Sequence, residues 1–235
     1  MSVIHLVRHG QASFGKPNYD ELSELGRRQA RILAAYCLSA GLNFDACYSG
    51  SLARQQDTAR EFQEVFAQAG LPLPPLQILP EFDEYDAAAI IGALKDRVRT
   101  ESPELLDKLS KPLDRKEFQA VFSGVIRRWV AGEISQEGLP AWAEFRERIN
   151  RGINHVGGEN GKAAQLLVFT SGGPIAVACQ RALNLADYDT IKLSWQVINA
   201  SVTRLSFRDQ QVGLISFNNV SHLEITQDAS LVTYR

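Results

Sequence analysis

The run Val3-Ile4-His5-Leu6-Val7 is short, β-branched and, His5 apart, apolar. A strand of that pattern offers no face to water, so it must lie inside a sheet covered on both sides. It breaks off at Arg8-His9-Gly10, and a polar stretch containing Gly and Pro runs from Gln11 to Asp20. Ser23 is then placed to cap a helix carrying Leu25, Ile32, Leu33 and Tyr36 on one face and stopping near Gly41. The order repeats with Asp45-Ala46-Cys47-Tyr48-Ser49 as a strand and Ser51 as the cap of a helix with Phe62, Val65, Phe66 and Ala69 on one stripe. A turn from Pro72 to Pro75 leads into Leu76-Gln77-Ile78-Leu79. Further on, Gln165 to Thr170 restores a buried strand, Ser171-Gly172-Gly173 makes a turn, and Pro174 suits the first position of a helix. Val202 to Phe207 and Val212 to Phe217 read as a hairpin joined by Arg208-Asp209-Gln210-Gln211.

Strands alternating with helices predict an α/β fold, a three-layer α/β/α sandwich on a mainly parallel sheet. Between about Phe82 and Lys162 the chain turns charged and helix-prone, punctuated by Pro103, Pro112, Gly132 and Pro140, which predicts a helical insertion in a single domain spanning residues 1–235. At 235 residues with 45% hydrophobic composition there is material for one sizeable core. A net charge of -2 leaves no electrostatic footprint for nucleic acid or an acidic membrane. Cys37, Cys47 and Cys179 are scattered and odd in number, against a disulfide framework or a zinc site, and a reducing cytoplasm is the expected home. No 18-residue apolar run and no leader-like start are found, so a soluble, unprocessed chain is expected. Gly157 to Lys162 superficially suggests a phosphate loop, but Val156 and Ala163 break the pattern twice, and the stretch reads as a flexible connector.

Ligands of open α/β sheets gather at the carboxyl ends of the strands. The residues there are Arg8-His9-Gly10, Ser49-Gly50-Ser51 with Arg54, Glu81, and Ser171-Gly172-Gly173, and together they suggest an anion site. Gly10 would let the backbone turn tightly and approach a ligand while His9 projects into the pocket; a strand-end histidine bonded to a neighbouring loop fits the same position. Arg8 and Arg54 should keep the imidazole neutral, the form a nucleophile needs. Arg54 in the first turn of a helix is a cation at the positive end of the dipole, a cost that a bound anion would offset. Glu81 or Glu84 could serve as general acid, with Asp83 and Asp86 crowding the choice. The amides after Ser171 could cradle an anion or simply turn the chain.

In this arrangement the chain resembles the histidine phosphatase superfamily, in its phosphoglycerate-mutase-like branch, over nearly its whole length. Leu6-Val7-Arg8-His9-Gly10 is similar to the hallmark after the first strand. Leu22-Ser23-Glu24-Leu25-Gly26 with Gln29-Ala30 resembles its L-[ST]-x-x-G-x-x-Q-A start, and Ser49-Gly50-Ser51-Leu52-Ala53-Arg54 with Thr58-Ala59 resembles its S-S-x-L-x-R-x-x-x-T-A. The resemblance implies a covalent mechanism without metal or other cofactor: His9 attacks phosphorus and becomes phosphohistidine, Arg8 and Arg54 hold phosphate oxygens with Ser171 and Gly172, and Glu81, at the L-x-E position, protonates the leaving oxygen and then activates water. The implied partner is a small phosphorylated metabolite or ligand, with a homodimer open.

Three departures stand out. Ser171 replaces the second histidine of the pocket; a serine hydroxyl can donate a hydrogen bond but cannot become cationic. Gln11 and Gly15 replace acidic and asparagine positions, and Tyr85-Asp86-Ala87 lacks the Gly and Trp-Glu-Gly usual after the glutamate. The longer mutase signature is missing too, which favours phosphomonoester hydrolysis over a mutase. A weakly active or inactive pseudoenzyme that binds a phosphorylated ligand is the alternative. A serine hydrolase using Ser171, Asp187 or Asp189, and His222 is a more distant one, because Phe169 stands where the nucleophile elbow needs Gly. Substrate specificity is expected from the insertion, where Arg97, Arg99, Arg127, Arg128, Arg146 and Arg148 could meet an anionic tail or lie on solvated helix faces.

Overall fold

A computed structural model describes residues 1–13, 20–101 and 115–234, the side chains from 96 to 120 excepted. Gly15 and the side chains of Arg97 and Arg99 therefore lie outside the described residues. The chain forms two compact units, Met1–Glu84 with Arg148–Arg235, and Tyr85–Glu147. Residues 148–162 of the expected insertion thus fall in the first unit.

In the first unit six strands, β1 (Ser2–Arg8), β2 (Ala46–Ser49), β3 (Leu76–Ile78), β4 (Gln165–Thr170), β5 (Val202–Arg208) and β6 (Gln211–Asn219), form one sheet in the order β3-β2-β4-β1-β5-β6. The four strands from β3 to β1 are parallel, and β5 and β6 run antiparallel at one edge. β1 is an interior strand, Val3 pairing with Gln165 in β4 and Leu6 with Thr203 in β5, and its side chains are buried on both faces of the sheet, which is why its sequence shows no alternation. The hairpin turn is tighter than expected, just Asp209-Gln210, with φ of 51° and 62°. Two successive left-handed residues make the two-residue turn that matches strand twist.

Helices cover both faces. The helices α1 (Glu24–Ser39) and α2 (Ala53–Gln68) lie over one, closing a core of Val7, Leu33, Phe44, Cys47, Phe62, Phe66, Leu167 and Phe169. Phe62 stacks on Phe66 with ring centroids 5.1 Å apart and meets the edge of Phe169 at 5.4 Å. Burying one such ring contributes about 1.5–3 kcal/mol. Ser23 caps α1 as expected, its Oγ accepting from Gly26 N at 3.1 Å. Tyr36 is a correction: the buried stripe runs Gly26, Ala30, Leu33, Ala34, Cys37, and Tyr36 is exposed. Ser51 is another. Leu52 is the residue preceding α2, and Ser51 instead bonds Asp83 through its backbone N and hydroxyl, both at 2.5 Å.

The later helices of this unit are the 148–159 part of Trp142–Glu159, then Gly172–Leu183, Asp187–Ser194 and the short Ser221–Glu224. The helix after β4 starts at Gly172, two residues before the expected Pro174. Gly157 and Gly158 are helical and no connector; a Cβ on Gly157 would collide with the Phe207 ring, so glycine lets helix and sheet touch. The second unit packs Tyr85, Trp129, Trp142 and Phe145 ring against ring, and Trp129 Nε1 donates to the Pro140 carbonyl at 3.0 Å. Its described elements are the helices Ala87–Glu101 and Arg115–Val130 and the start of Trp142–Glu159. Among the described residues no helix is long and apolar enough to cross a membrane.

Candidate functional site

The parallel strand ends are stitched together by backbone bonds: His9 N to Thr170 O at 2.8 Å, Gly50 N to Phe169 O at 3.0 Å, and Leu79 N to Ser49 O at 2.7 Å. Arg8-His9, Ser171, Gly50 and the turn that carries Glu81 are thereby brought to one edge.

His9 is almost fully buried. Its Nδ1 lies 2.7 Å from the Gly10 carbonyl and its Nε2 is 3.2 Å from Arg54 Nε. A carbonyl only accepts and a guanidinium only donates, so the proton sits on Nδ1 and Nε2 carries the lone pair. Burial, then Arg54, then Arg8 push its pKa well below the usual histidine range, against a smaller opposing pull from Gly10. The sequence pointed to the arginines; burial is the larger cause. Asn199 Nδ2 donates to the His9 carbonyl at 3.1 Å and fixes the backbone.

Gly10 also has a backbone neighbour that the sequence does not reveal. A Cβ there would lie 2.9 Å from Gly26 Cα and closer still to its carbonyl, and one on Gly26 would lie 2.8 Å from Gln11 N. The two motif glycines therefore let the first strand end and the start of α1 touch backbone to backbone. Thr58 completes the junction, accepting from Gly10 N at 3.0 Å and donating to Arg54 O at 2.7 Å.

Arg54 lies in the first turn of α2, and the anion that offsets its position is the chain's own Asp20. The Asp20 carboxylate accepts from Arg54 Nη1 at 2.6 Å and from Ala53 N at 2.8 Å. Arg8 donates Nη1 to the Val197 carbonyl and Nη2 to the Tyr234 carbonyl at 3.0 Å. Gln29 pins the same late segment, donating to Leu231 O at 2.7 Å and to Thr233 Oγ1 at 2.9 Å, and accepts from Gln11 N at 2.8 Å.

Glu81 sits in the single turn Pro80–Phe82, part-buried, and among the described residues its carboxylate makes no hydrogen bond. Glu84 Oε2 accepts from Gly173 N at 3.0 Å, at the start of the helix Gly172–Leu183. Arg148 is turned to this acidic segment, donating to Asp83 O at 2.6 Å. Ser171 is fully buried directly before that helix, and its Oγ accepts from Gln55 Nε2 at 2.8 Å. Among the described residues, none of Asp187, Asp189 and His222 bonds the Ser171 hydroxyl. Asp187 accepts from Gln180 at 2.6 Å, Asp189 pairs with Lys192 at 3.1 Å, and the buried His222 ring lies beside Tyr36. This removes the serine-hydrolase alternative.

Asp20, Gln55 and Asn199 were missed from the sequence. No periodicity marks them; only Gln55, next to Arg54 on the buried side of α2, left a trace.

Residues 4–220 match the profile of the histidine phosphatase superfamily (branch 1). The chain belongs to that superfamily. A 2,3-bisphosphoglycerate-dependent phosphoglycerate mutase of Bartonella quintana (strain Toulouse) is 35% identical over 100 residues, 40% of this chain and 47% of that enzyme. The chain thus spans about half the length of the curated relatives it matches. The crystal structure of phosphoglycerate mutase from Bacillus anthracis str. Sterne shares the fold at a TM-score of 0.66 and 20% identity, over 97% of each chain. A mutant phosphoserine phosphatase from Entamoeba histolytica in complex with phosphoserine does so at 0.62 and 18%, over 95% of this chain and 100% of the other. The mostly parallel α/β fold and the superfamily expected from the sequence are therefore shown.

Proposed function

We propose that the chain is a phosphatase that hydrolyses a small phosphomonoester through a phosphohistidine at His9. The observation that carries this reading is the imidazole held by Gly10 O on Nδ1, with an Nε2 lone pair facing Arg54. A ring kept neutral by burial and two guanidinium groups is a nucleophile whose target is expected to be anionic.

In the first half-reaction the Nε2 pair attacks phosphorus in line. The P–O ester bond breaks, its electrons go to the leaving oxygen, and that oxygen takes a proton from Glu81. In the second half-reaction water attacks phosphorus and returns a proton to the Glu81 carboxylate, while the P–N pair goes back to Nε2. Arg54 and Arg8 offset charge on the equatorial oxygens, and the Ser171 hydroxyl and Gly172 N–H add neutral donors. Glu81 is preferred to Glu84 as acid and base because Glu84 is engaged with Gly173 N. Positioning and charge do most of this work, and the protein itself brings both. The relatives named phosphoglycerate mutase and phosphoserine phosphatase support a small phosphorylated substrate.

A second reading, a binder of a phosphorylated ligand with little turnover, is favoured by Asp20 on Arg54 and by the neutral Ser171. A panel of phosphomonoesters assayed with wild type and His9→Ala separates the two. Phosphatase activity lost in His9→Ala, with an acid-labile phosphoenzyme trapped in wild type, supports the enzyme. Equal background release by both proteins points to binding alone.

A further inference from the structure

Gln55 is completely buried and every polar atom of its side chain is engaged. Nε2 donates to the Phe82 carbonyl at 3.0 Å and to Ser171 Oγ at 2.8 Å, and Oε1 accepts from Leu52 N at 3.3 Å. An amide nitrogen has two hydrogens and no free acceptor site, so in the contact with Ser171 the serine oxygen accepts. The hydroxyl hydrogen of Ser171 must then point away from Gln55. Among the described residues no acceptor takes it, although the side chain is fully buried. A buried donor left without an acceptor is destabilising, and it lies directly before the N-terminus of a twelve-residue helix, where an anion would accept it.

We propose that Gln55 is a positioning residue that fixes the Ser171 hydroxyl as a phosphate donor. The proposal rests on the phosphoryl-transfer reading of this pocket. Gln55 does not touch substrate. It ties α2, the Glu81 turn and the residue before the late helix into one arrangement, and by donating to Ser171 it leaves that hydroxyl a single use. The orientation of the amide is over-determined: Phe82 O demands a donor and Leu52 N demands an acceptor, so a flip would break both bonds. Phe82 O also accepts from Thr170 Oγ1 at 2.7 Å, so removing Gln55 does not leave that carbonyl orphaned. The pair also has a steric meaning. A ring carbon in place of Ser171 Oγ would meet Gln55 Nε2 inside normal carbon contact distance, about 3.5 Å or more. Ser171 and Gln55 therefore form a matched set in a pocket whose relatives by resemblance carry histidine.

The test is a double-mutant cycle of Gln55→Leu and Ser171→Ala, read as kcat and KM for a phosphomonoester and as the Kd of inorganic phosphate by calorimetry, with melting curves for each protein. Gln55→Leu is expected to lower kcat and phosphate affinity about tenfold in wild type. In the Ser171→Ala background it should change them by no more than about twofold. Equal effects in both backgrounds overturn the assignment. Should Gln55→Leu not fold, Gln55→Glu serves: its carboxylate draws the Ser171 hydrogen to itself when ionised, so kcat should fall as pH rises through the carboxyl pKa, and a wild-type pH profile overturns the assignment. If His9→Ala matches wild type in turnover and wild type does not bind phosphate, the pocket reading fails and this proposal with it. If His9→Ala is dead while the cycle is additive, only the role of Gln55 fails.

Discussion

Arg54 reaches His9 with its Nε at 3.2 Å while its far end is held by Asp20, so the guanidinium that faces the imidazole is already in an ion pair. On the proposed function, a dianionic phosphate arriving at His9 would meet a cation that is shared. The local charge of the site is lower than the two arginines of the sequence suggest.

Asp20→Asn removes the competing charge and keeps an oxygen for Ala53 N. Inorganic phosphate should bind about fivefold more tightly, the scale of a part-exposed ion pair, with little loss of melting temperature. Titration calorimetry at constant ionic strength reads this; weaker binding would show that Asp20 serves to orient Arg54.

Gly10→Ala and Gly26→Ala each place a methyl inside the other segment's backbone. Each should destabilise by about 1–3 kcal/mol or prevent folding, and the pair should be far from additive because one displacement relieves both clashes. Urea unfolding of the two single variants and the double variant reads the coupling.

Ser171→His alone should not raise turnover, because Gln55 stands against the new ring. Combined with Gln55→Ala it should, and the recovered activity should exceed that of either single variant. A gain in the single variant would show that the pocket opens to accommodate the ring.

Three buried histidines, His5, His9 and His222, all have lowered pKa values, burial being the leading cause, and His222 is brought down to about 4. The unfolded chain takes up these protons from about pH 6.5 downward while the folded chain refuses them, so stability is lost as pH falls below that point. For His222 the loss should reach about 3 kcal/mol by about pH 4. His222→Gln should flatten the curve by that amount in urea unfolding across this range; an unchanged slope would mean the ring is not buried neutral.

The sheet was legible because β1, β2 and β4 are buried on both faces and leave unbroken apolar runs, and the residues that follow them were legible because parallel strands deliver their ends to one place. His9 and Arg54 came from that rule, and the structure brings them into contact. What could not be read was the set of groups that answers them. Asp20 reaches Arg54 from a loop, Asn199 reaches His9 from far along the chain, and Gln55 meets Ser171 through a bond that no spacing encodes. Gly10 signals a close approach but not its partner, since the same glycine is needed whether the neighbour is a ligand or, as at Gly26, another backbone. Ser51 suits a cap but is taken by Asp83, and Tyr36 lies just off the buried stripe through Leu33, Ala34 and Cys37.

β1 lies between two strands that are both made much later, with Val3 paired to Gln165 on one side and to Ser206 on the other. During synthesis the strand that carries Arg8 and His9 emerges before either neighbour exists, and it waits as an unpaired apolar segment until most of the chain has been translated. Assembly of the pocket is therefore a late event in the life of each molecule. Refolding should be slow, sensitive to protein concentration and improved by chaperones, even where the finished fold is stable.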